Sequence, residues 1–158
     1  MKNFINFFIS LCFTGYIKKI PPGTFATFVS ILILFPIVYY KLLSFQILII
    51  IFIFLVLISL YLINLYSKQT KTHDNSIIVI DEFLGIYLIF LFYNEIYILN
   101  NILTNILIFL LFRFFDIFKI YPANLIDKKM INSLGVLLDD LIAAIYTIIT
   151  LYIINVFI

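Results

Sequence analysis

Apolar residues fill most of the chain and are interrupted by short polar stretches. Five apolar segments follow one another, at residues 24–43, 44–66, 77–93, 97–118 and 137–158. Each lies within the range of about 17–25 residues with which an α-helix crosses the hydrocarbon layer of a membrane. The pattern therefore predicts an all-α fold, a polytopic membrane helical bundle with four or five apolar spans, in a single domain that covers residues 1–158.

The first 13 residues resemble a short signal peptide, because one Lys precedes an apolar stretch. No cleavage site of the A-x-A kind follows, so we expect this segment to stay in the mature chain. We interpret it as an interfacial or re-entrant helix, and a membrane span is the alternative.

Composition supports a membrane location. The chain has 158 residues, of which 65% are hydrophobic and 11% charged, whereas soluble domains carry about 25% charged residues. A net charge of +2, with no basic run longer than two residues, argues against nucleic acid as a partner. Cys12 is the single cysteine, so it is expected to be a small packing residue. The oligomeric state stays open.

Alternating crossings place nearly all charges on one side of the membrane. Eight of the ten Lys and Arg residues fall on that side, against Lys41 on the other, with Lys2 unassigned. Seven of the eight acids share the same side, and Glu95 is the exception. By the positive-inside rule the charged side faces the cytoplasm. The rule explains the basic residues but leaves the acids to be explained.

Five acids lie within or at the ends of apolar segments: Asp81, Glu82, Asp116, Asp139 and Asp140. Helix starts favour acids through the helix dipole, by about 0.3–1 kcal/mol each. Capping of this kind accounts for one acid at each start but not for two tandem pairs plus Asp116 near a helix end. Mg²⁺ takes oxygen ligands from a few carboxylates and from substrate phosphates. A magnesium site therefore explains the five acids together, and capping with structural salt bridges is the alternative.

Basic and small residues near the acids suggest a phosphate site. Arg113, Asp116 and Lys119 are spaced to share one helix face. They form either an ion-pair ladder or a site in which the two basic groups bind phosphate and Asp116 binds the metal. The segment Pro22-Gly23-Thr24 precedes a helix and could hold an oxyanion there, although a simple turn has the same pattern.

His73 is the only histidine and is followed by Asp74 in the polar loop 67–76. A solvated loop residue is one interpretation. The other is a phosphate contact or an acid that protonates a leaving oxygen, because the ordinary pKa of histidine suits that role.

Four motifs resemble the phosphatidylglycerophosphatase A family. They are PPGT (21–24), HDNSIIVIDEFLG (73–85), FRFFDIFKIYP (112–122) and LGVLLDD (134–140), and the resemblance extends from Gly15 to Ala144. It implies a small enzyme of the bacterial inner membrane that needs Mg²⁺. Such an enzyme removes the terminal phosphate of phosphatidylglycerophosphate and leaves phosphatidylglycerol, a step of phospholipid biosynthesis.

Together the pattern and the resemblance assign the site. The catalytic and metal-binding group is Asp81, Glu82, Asp116, Asp139 and Asp140. The substrate-binding group is Pro22, Gly23, Thr24, His73, Asp74, Arg113 and Lys119. Asp127 matches a further family acid without an assigned role. The chain departs from the family pattern at Ala26, Thr27, Ile120, Tyr121, Asn132 and Ser133, and none of these departures removes a charged group.

The hypothesis is hydrolysis of a lipid phosphate at the cytoplasmic interface, by Mg²⁺-activated water or by an aspartate nucleophile. A small cation channel or transporter with an acid-lined path is the alternative from another class. A lipid-binding protein without catalysis is a third reading, which would use Arg113 and Lys119 but leave the acids without a role.

Overall fold

The protein is built from α-helices. The computed structural model describes residues 2–17, 19–70, 75–98, 100–130 and 132–157, and no strand occurs within these ranges. The described helices are α1 (Lys2–Ile9), α2 (Pro22–Tyr39), α3 (Phe45–Thr70), α4 (Ile80–Leu91), α5 (Asn101–Phe118), α6 (Ala123–Lys129) and α7 (Ser133–Phe157), with a 3₁₀ turn at Thr14–Tyr16. The predicted all-α fold is confirmed.

Four of these helices, α2, α3, α5 and α7, are long and apolar enough to cross a membrane. Large apolar side chains such as Ile50, Leu57 and Ile102 are exposed on their outer faces. Such faces suit contact with lipid, because lipid tails are as apolar as these side chains. The helices therefore fit the predicted polytopic membrane bundle, with four spans by length.

The central helix α4 is shorter than predicted. Residues 77–93 were expected to span, but the helix covers only 12 residues, or about 18 Å, against a hydrocarbon layer of about 30 Å. It packs against α2, α3 and α7, and most of its residues are buried. Gly85 allows this packing, since a Cβ there would lie 2.7 Å from the ring of Phe112. Protein rather than lipid surrounds α4.

Local signals in the sequence begin several helices. Pro22 occupies the first turn of α2, where its missing N–H removes no helical hydrogen bond. The Asn100 side chain accepts a hydrogen bond of 2.8 Å from the N–H of Leu103 and caps α5. Asn132 does the same for α7 through the N–H of Gly135, at 2.9 Å. These caps define where the chain turns back into the bundle.

The start of α7 corrects the sequence prediction. A span was expected from residue 137, with Asp139 and Asp140 at its beginning. The helix begins at Ser133 instead, because Asn132 supplies the cap. The two acids therefore lie in the second turn, where the helix dipole stabilises them less. Helix capping is thus a weaker explanation for this pair than it was from sequence alone.

The N-terminal segment packs beneath the start of α4. Helix α1 has eight residues, too few to cross a membrane. Its side chains Ile5 and Ile9 are fully buried, and the carbonyl of Ile9 accepts a hydrogen bond of 3.0 Å from the N–H of Val79. This contact ties α1 to the segment that leads into α4.

Candidate active site

One pocket gathers most of the predicted site residues. Its volume is about 520 Å³, and it opens at the end of the bundle where α2, α4 and α7 begin and α5 ends. The predicted residues that line it are Pro22, Gly23, Asp81, Glu82, Arg113, Asp116, Lys119, Asp139 and Asp140. Residues from four distant parts of the sequence thus meet at one site, as the alternating crossings predicted.

Three of the five predicted acids converge. Asp81 and Glu82 come from the first turn of α4 and Asp140 from α7, and each offers an oxygen within 4.8 Å of the others. Asp81 is 8% exposed and Asp140 5% exposed. Carboxylates held this closely and away from water repel one another strongly. A cation among them would offset that repulsion.

Glu82 and Arg113 lie together at the wall of the pocket. The Nη1 atom of Arg113 is 4.0 Å from Oε1 of Glu82, and Arg113 also forms an ion pair with Asp116 one turn along α5. Among the described residues, Oε2 of Glu82 and Nε of Arg113 are buried without a hydrogen-bond partner. Unpaired buried polar atoms are rare in proteins. These two atoms therefore mark where a bound group would complete the site.

Lys119 connects three helices. It ends α5 in a left-handed conformation, with φ of 43°, and its Nζ donates to Asp127 at 2.5 Å and to Asp139 at 2.7 Å. Burial acts to lower the pKa of Lys119, but the two carboxylates outweigh it and raise the pKa above its ordinary value. The lysine therefore stays charged and joins the end of α5 to α6 and α7. It does not extend the Arg113–Asp116 pair into a ladder.

Only part of the predicted Pro22-Gly23-Thr24 segment lines the pocket. Pro22 and Gly23 line it, and Thr24 is not among the lining residues. A Cβ at Gly23 would overlap Oε1 of Glu82 and lie 3.1 Å from Nη1 of Arg113. The backbone of α2 thus approaches these two charged groups as closely as only glycine allows.

His73 and Asp74 lie outside the described residues, so their predicted substrate contact stays a prediction. The pocket is also lined by residues for which no role was predicted, among them Asn75, Asp127, Lys128 and Asn132. Asp127 and Lys128 belong to α6, a short helix between the apolar segments 97–118 and 137–158, where no helix was predicted. The signal that could have located it is the pattern of Leu125 and Ile126 between polar residues, preceded by Pro122.

The chemistry of the pocket suits a hard divalent cation. Six acids and three basic side chains line it, so its walls carry a formal excess of three negative charges. Walls with that charge would repel a phosphate group unless cations were present. Carboxylate oxygens are the ligands that Mg²⁺ prefers, and Asp81, Glu82 and Asp140 present them within 4.8 Å of one another. The described residues therefore fit the predicted metal.

Fold and pocket together define a class, that of helical membrane proteins with a polar, acidic site at one end of the bundle. The model of the family described as Phosphatidylglycerophosphatase A matches residues 7–155. The chain belongs to the phosphatidylglycerophosphatase A family, as its motifs indicated.

A curated relative is similar over part of the chain. It is named Phosphatidylglycerophosphatase A, comes from Haemophilus influenzae, and is 36% identical over 80 residues. The match covers 51% of this chain and 47% of the relative, so it spans about half the length of that protein. No solved structure is detectably similar to the chain.

Proposed function

We propose that the protein is a Mg²⁺-dependent lipid phosphatase that hydrolyses the terminal phosphate of phosphatidylglycerophosphate, leaving phosphatidylglycerol and phosphate. The observation that carries this proposal is the convergence of Asp81, Glu82 and Asp140 beside Arg113. This cluster opens at the end of an apolar helical bundle. The family name and the name of the relative supply the substrate.

In this proposal the three clustered carboxylates hold Mg²⁺, with Asp116 and Asp139 beside them. When bound, the ion neutralises charge on the phosphate oxygens and polarises the phosphorus atom. Arg113 offers a planar pair of N–H groups to the same phosphate, and its Nε has no partner among the described residues. Gly23 keeps the backbone of α2 clear of the position between Glu82 and Arg113.

The reaction replaces one phosphorus–oxygen bond with another. A water oxygen bonds to phosphorus, the bond to the glycerol oxygen breaks, and that oxygen takes up a proton. Lys119 holds α6 and α7 against the end of α5 through Asp127 and Asp139, which keeps the walls of the pocket in position. Catalysis of this kind depends mainly on positioning and charge stabilisation.

The location is part of the proposal. Acyl chains of the substrate stay in lipid beside α2, α3, α5 and α7, while the phosphate reaches the pocket at the depth of the headgroups. Eight of the ten Lys and Arg residues belong to the loops and helix ends that the sequence predicts on the side of the pocket. By the positive-inside rule we place this side in the cytoplasm and the protein in the bacterial inner membrane.

The described interior argues against an ion path. Beyond its first turn, α4 presents fully buried apolar side chains such as Leu84, Ile86 and Ile89. A cation pathway needs polar groups or water along its length. The described acids near α4 lie instead at the pocket end of the bundle. A site that acts on a lipid headgroup needs its charged groups at this depth.

The test is phosphate release from phosphatidylglycerophosphate in detergent micelles, with Mg²⁺ and with a chelator. We expect release that requires the metal, and a loss of about 100-fold or more in Asp81→Asn, because a lost charge-stabilising group typically has this effect. Glu95→Gln makes the same change at the far end of the bundle and should retain activity. Folded wild-type protein that releases no phosphate in Mg²⁺ would refute the proposal.

A further inference from the structure

The basic side chains that were assigned to phosphate already have acidic partners. Arg113 pairs with Asp116 and approaches Glu82. Lys119 donates to Asp127 and Asp139. Lys128 is the third basic side chain on the pocket wall, and it forms no ion pair within the described residues. Its charge is therefore available to a ligand.

The position of Lys128 is fixed by its neighbour. Asp127 forms an ion pair of 2.5 Å with Lys119. The last turn of α6, which contains Lys128, is therefore attached to the end of α5. Successive residues on a helix point about 100° apart. Both Lys128 and Lys129 are exposed, but Lys128 lines the pocket and Lys129 does not. Two adjacent lysines thus differ in whether they face the site.

Asn132 adds an oriented donor to the exposed wall of the pocket, and the part formed by Lys128 and Asn132 is called the rim. Its Oδ1 accepts the N–H of Gly135 at 2.9 Å, so its NH₂ group is left to donate elsewhere. Asn132 is exposed and lines the pocket together with Lys128. An ammonium group and an amide donor on one rim match the oxygens of a singly charged phosphodiester.

We propose that Lys128 and Asn132 form a second anion subsite, which binds the phosphodiester of the lipid headgroup. The inference rests on the proposed function, because the substrate named there carries two phosphates joined by a glycerol unit. The terminal phosphate enters among the carboxylates and Arg113. The phosphodiester stays at the rim, where it is retained in the product. Lys128 is in this sense a positioning residue for the phosphate that reacts.

The first readout is kinetic. Lys128→Ala should raise KM for phosphatidylglycerophosphate by about 3-fold to 10-fold, as expected for loss of one charged hydrogen bond at an exposed site. It should leave kcat nearly unchanged, and Lys128→Arg should restore KM. Lys129→Ala is the matched control and should behave as wild type. Equal KM values for Lys128→Ala and Lys129→Ala would overturn the inference.

The second readout does not depend on turnover. Dioctanoyl phosphatidylglycerol keeps the phosphodiester and lacks the terminal phosphate, so its Kd in a neutral detergent reports the rim alone. We expect this Kd to rise by about 3-fold to 10-fold in Lys128→Ala and to stay unchanged in Lys129→Ala. If Lys128→Ala alone weakens binding of this lipid but the wild type releases no phosphate, the proposed function fails and the subsite stands. If turnover is normal and binding is equal in both variants, the subsite fails alone.

Discussion

The two ends of the bundle are stabilised by different interactions. At the pocket end, buried carboxylates face one another and only some have a basic partner. At the far end, aromatic rings pack together, with Phe90 and Tyr93 stacked at 5.2 Å and Phe35 and Tyr39 at 5.2 Å between ring centroids. Contacts of this kind need no ligand. The far end is complete in itself, and the pocket end becomes complete with a cation and a substrate.

The largest expected effect on activity concerns Asp140. Asp140→Asn keeps the shape of the side chain and removes one of three clustered charges, so phosphate release should fall by about 100-fold or more. Without Mg²⁺, the midpoint of thermal unfolding should stay level or rise, because repulsion among the carboxylates is relieved.

Activity assays and thermal unfolding in the same detergent check both halves of this expectation. Glu95→Gln serves as control, since Glu95 lies near the far end and its carbonyl bonds to Asn155. Full activity of Asp140→Asn, or a midpoint of thermal unfolding well below that of the wild type, would contradict the contrast between the two ends.

The next effect belongs to the aromatic end. Phe90 is 1% exposed, and Phe90→Ala should lower the free energy of unfolding by about 3–5 kcal/mol through the lost contacts and the cavity. At low temperature, kcat of the folded fraction should be unchanged because the pocket lies at the other end. Phe92→Ala, at an exposed position nearby, should have little effect on either quantity. A large fall in kcat with Phe90→Ala would show that the ends are coupled.

The smallest effect is expected from Gly23→Ala. Alanine favours a helix by about 1 kcal/mol over glycine, so stability should hold. Its Cβ would displace Glu82 or Arg113, and kcat/KM should fall by about 10-fold, the equivalent of about 1.4 kcal/mol.

Gly85→Ala is the useful comparison for this variant, since the same change there meets the buried ring of Phe112. It should mainly reduce stability, and it can reach the pocket only through the backbone of α7, where the same Cβ would lie 3.2 Å from the carbonyl oxygen of Asp140. If Gly23→Ala lowers stability and leaves kcat/KM intact, the close approach of α2 to the pocket has no functional role.

The sequence predicted most of the bundle and its charged end, for physical reasons. Long apolar segments have few alternatives to helices in lipid, and an acid inside such a segment is costly enough to signal a site. Helix α6 was missed because its polar sequence resembles a loop. The length of α4 was overestimated because an apolar run does not tell lipid contact from burial in protein. The start of α7 depended on a single cap, Asn132.

Within the site, the sequence predicted which acids lie in one region but not which other side chains each acid contacts. Asp81, Glu82 and Asp140 converge, whereas Asp116 and Asp139 are each paired with a basic side chain. The Arg113–Asp116 pair follows from spacing along α5, but the partner of Asp139 depends on how α5 ends, with Lys119 left-handed and directed to α6 and α7. Such a bend follows from tertiary contacts, which spacing along one helix does not contain.

The shortness of α4 bears on how the chain enters the membrane. A segment with a 12-residue helix and two acids in its first turn is a poor substrate for insertion as an independent span. We therefore expect its entry into the bilayer to depend on the helices that enclose it, among them α7, which follows later in synthesis. On this view, the bundle is inserted and its acidic pocket is formed in the same late step.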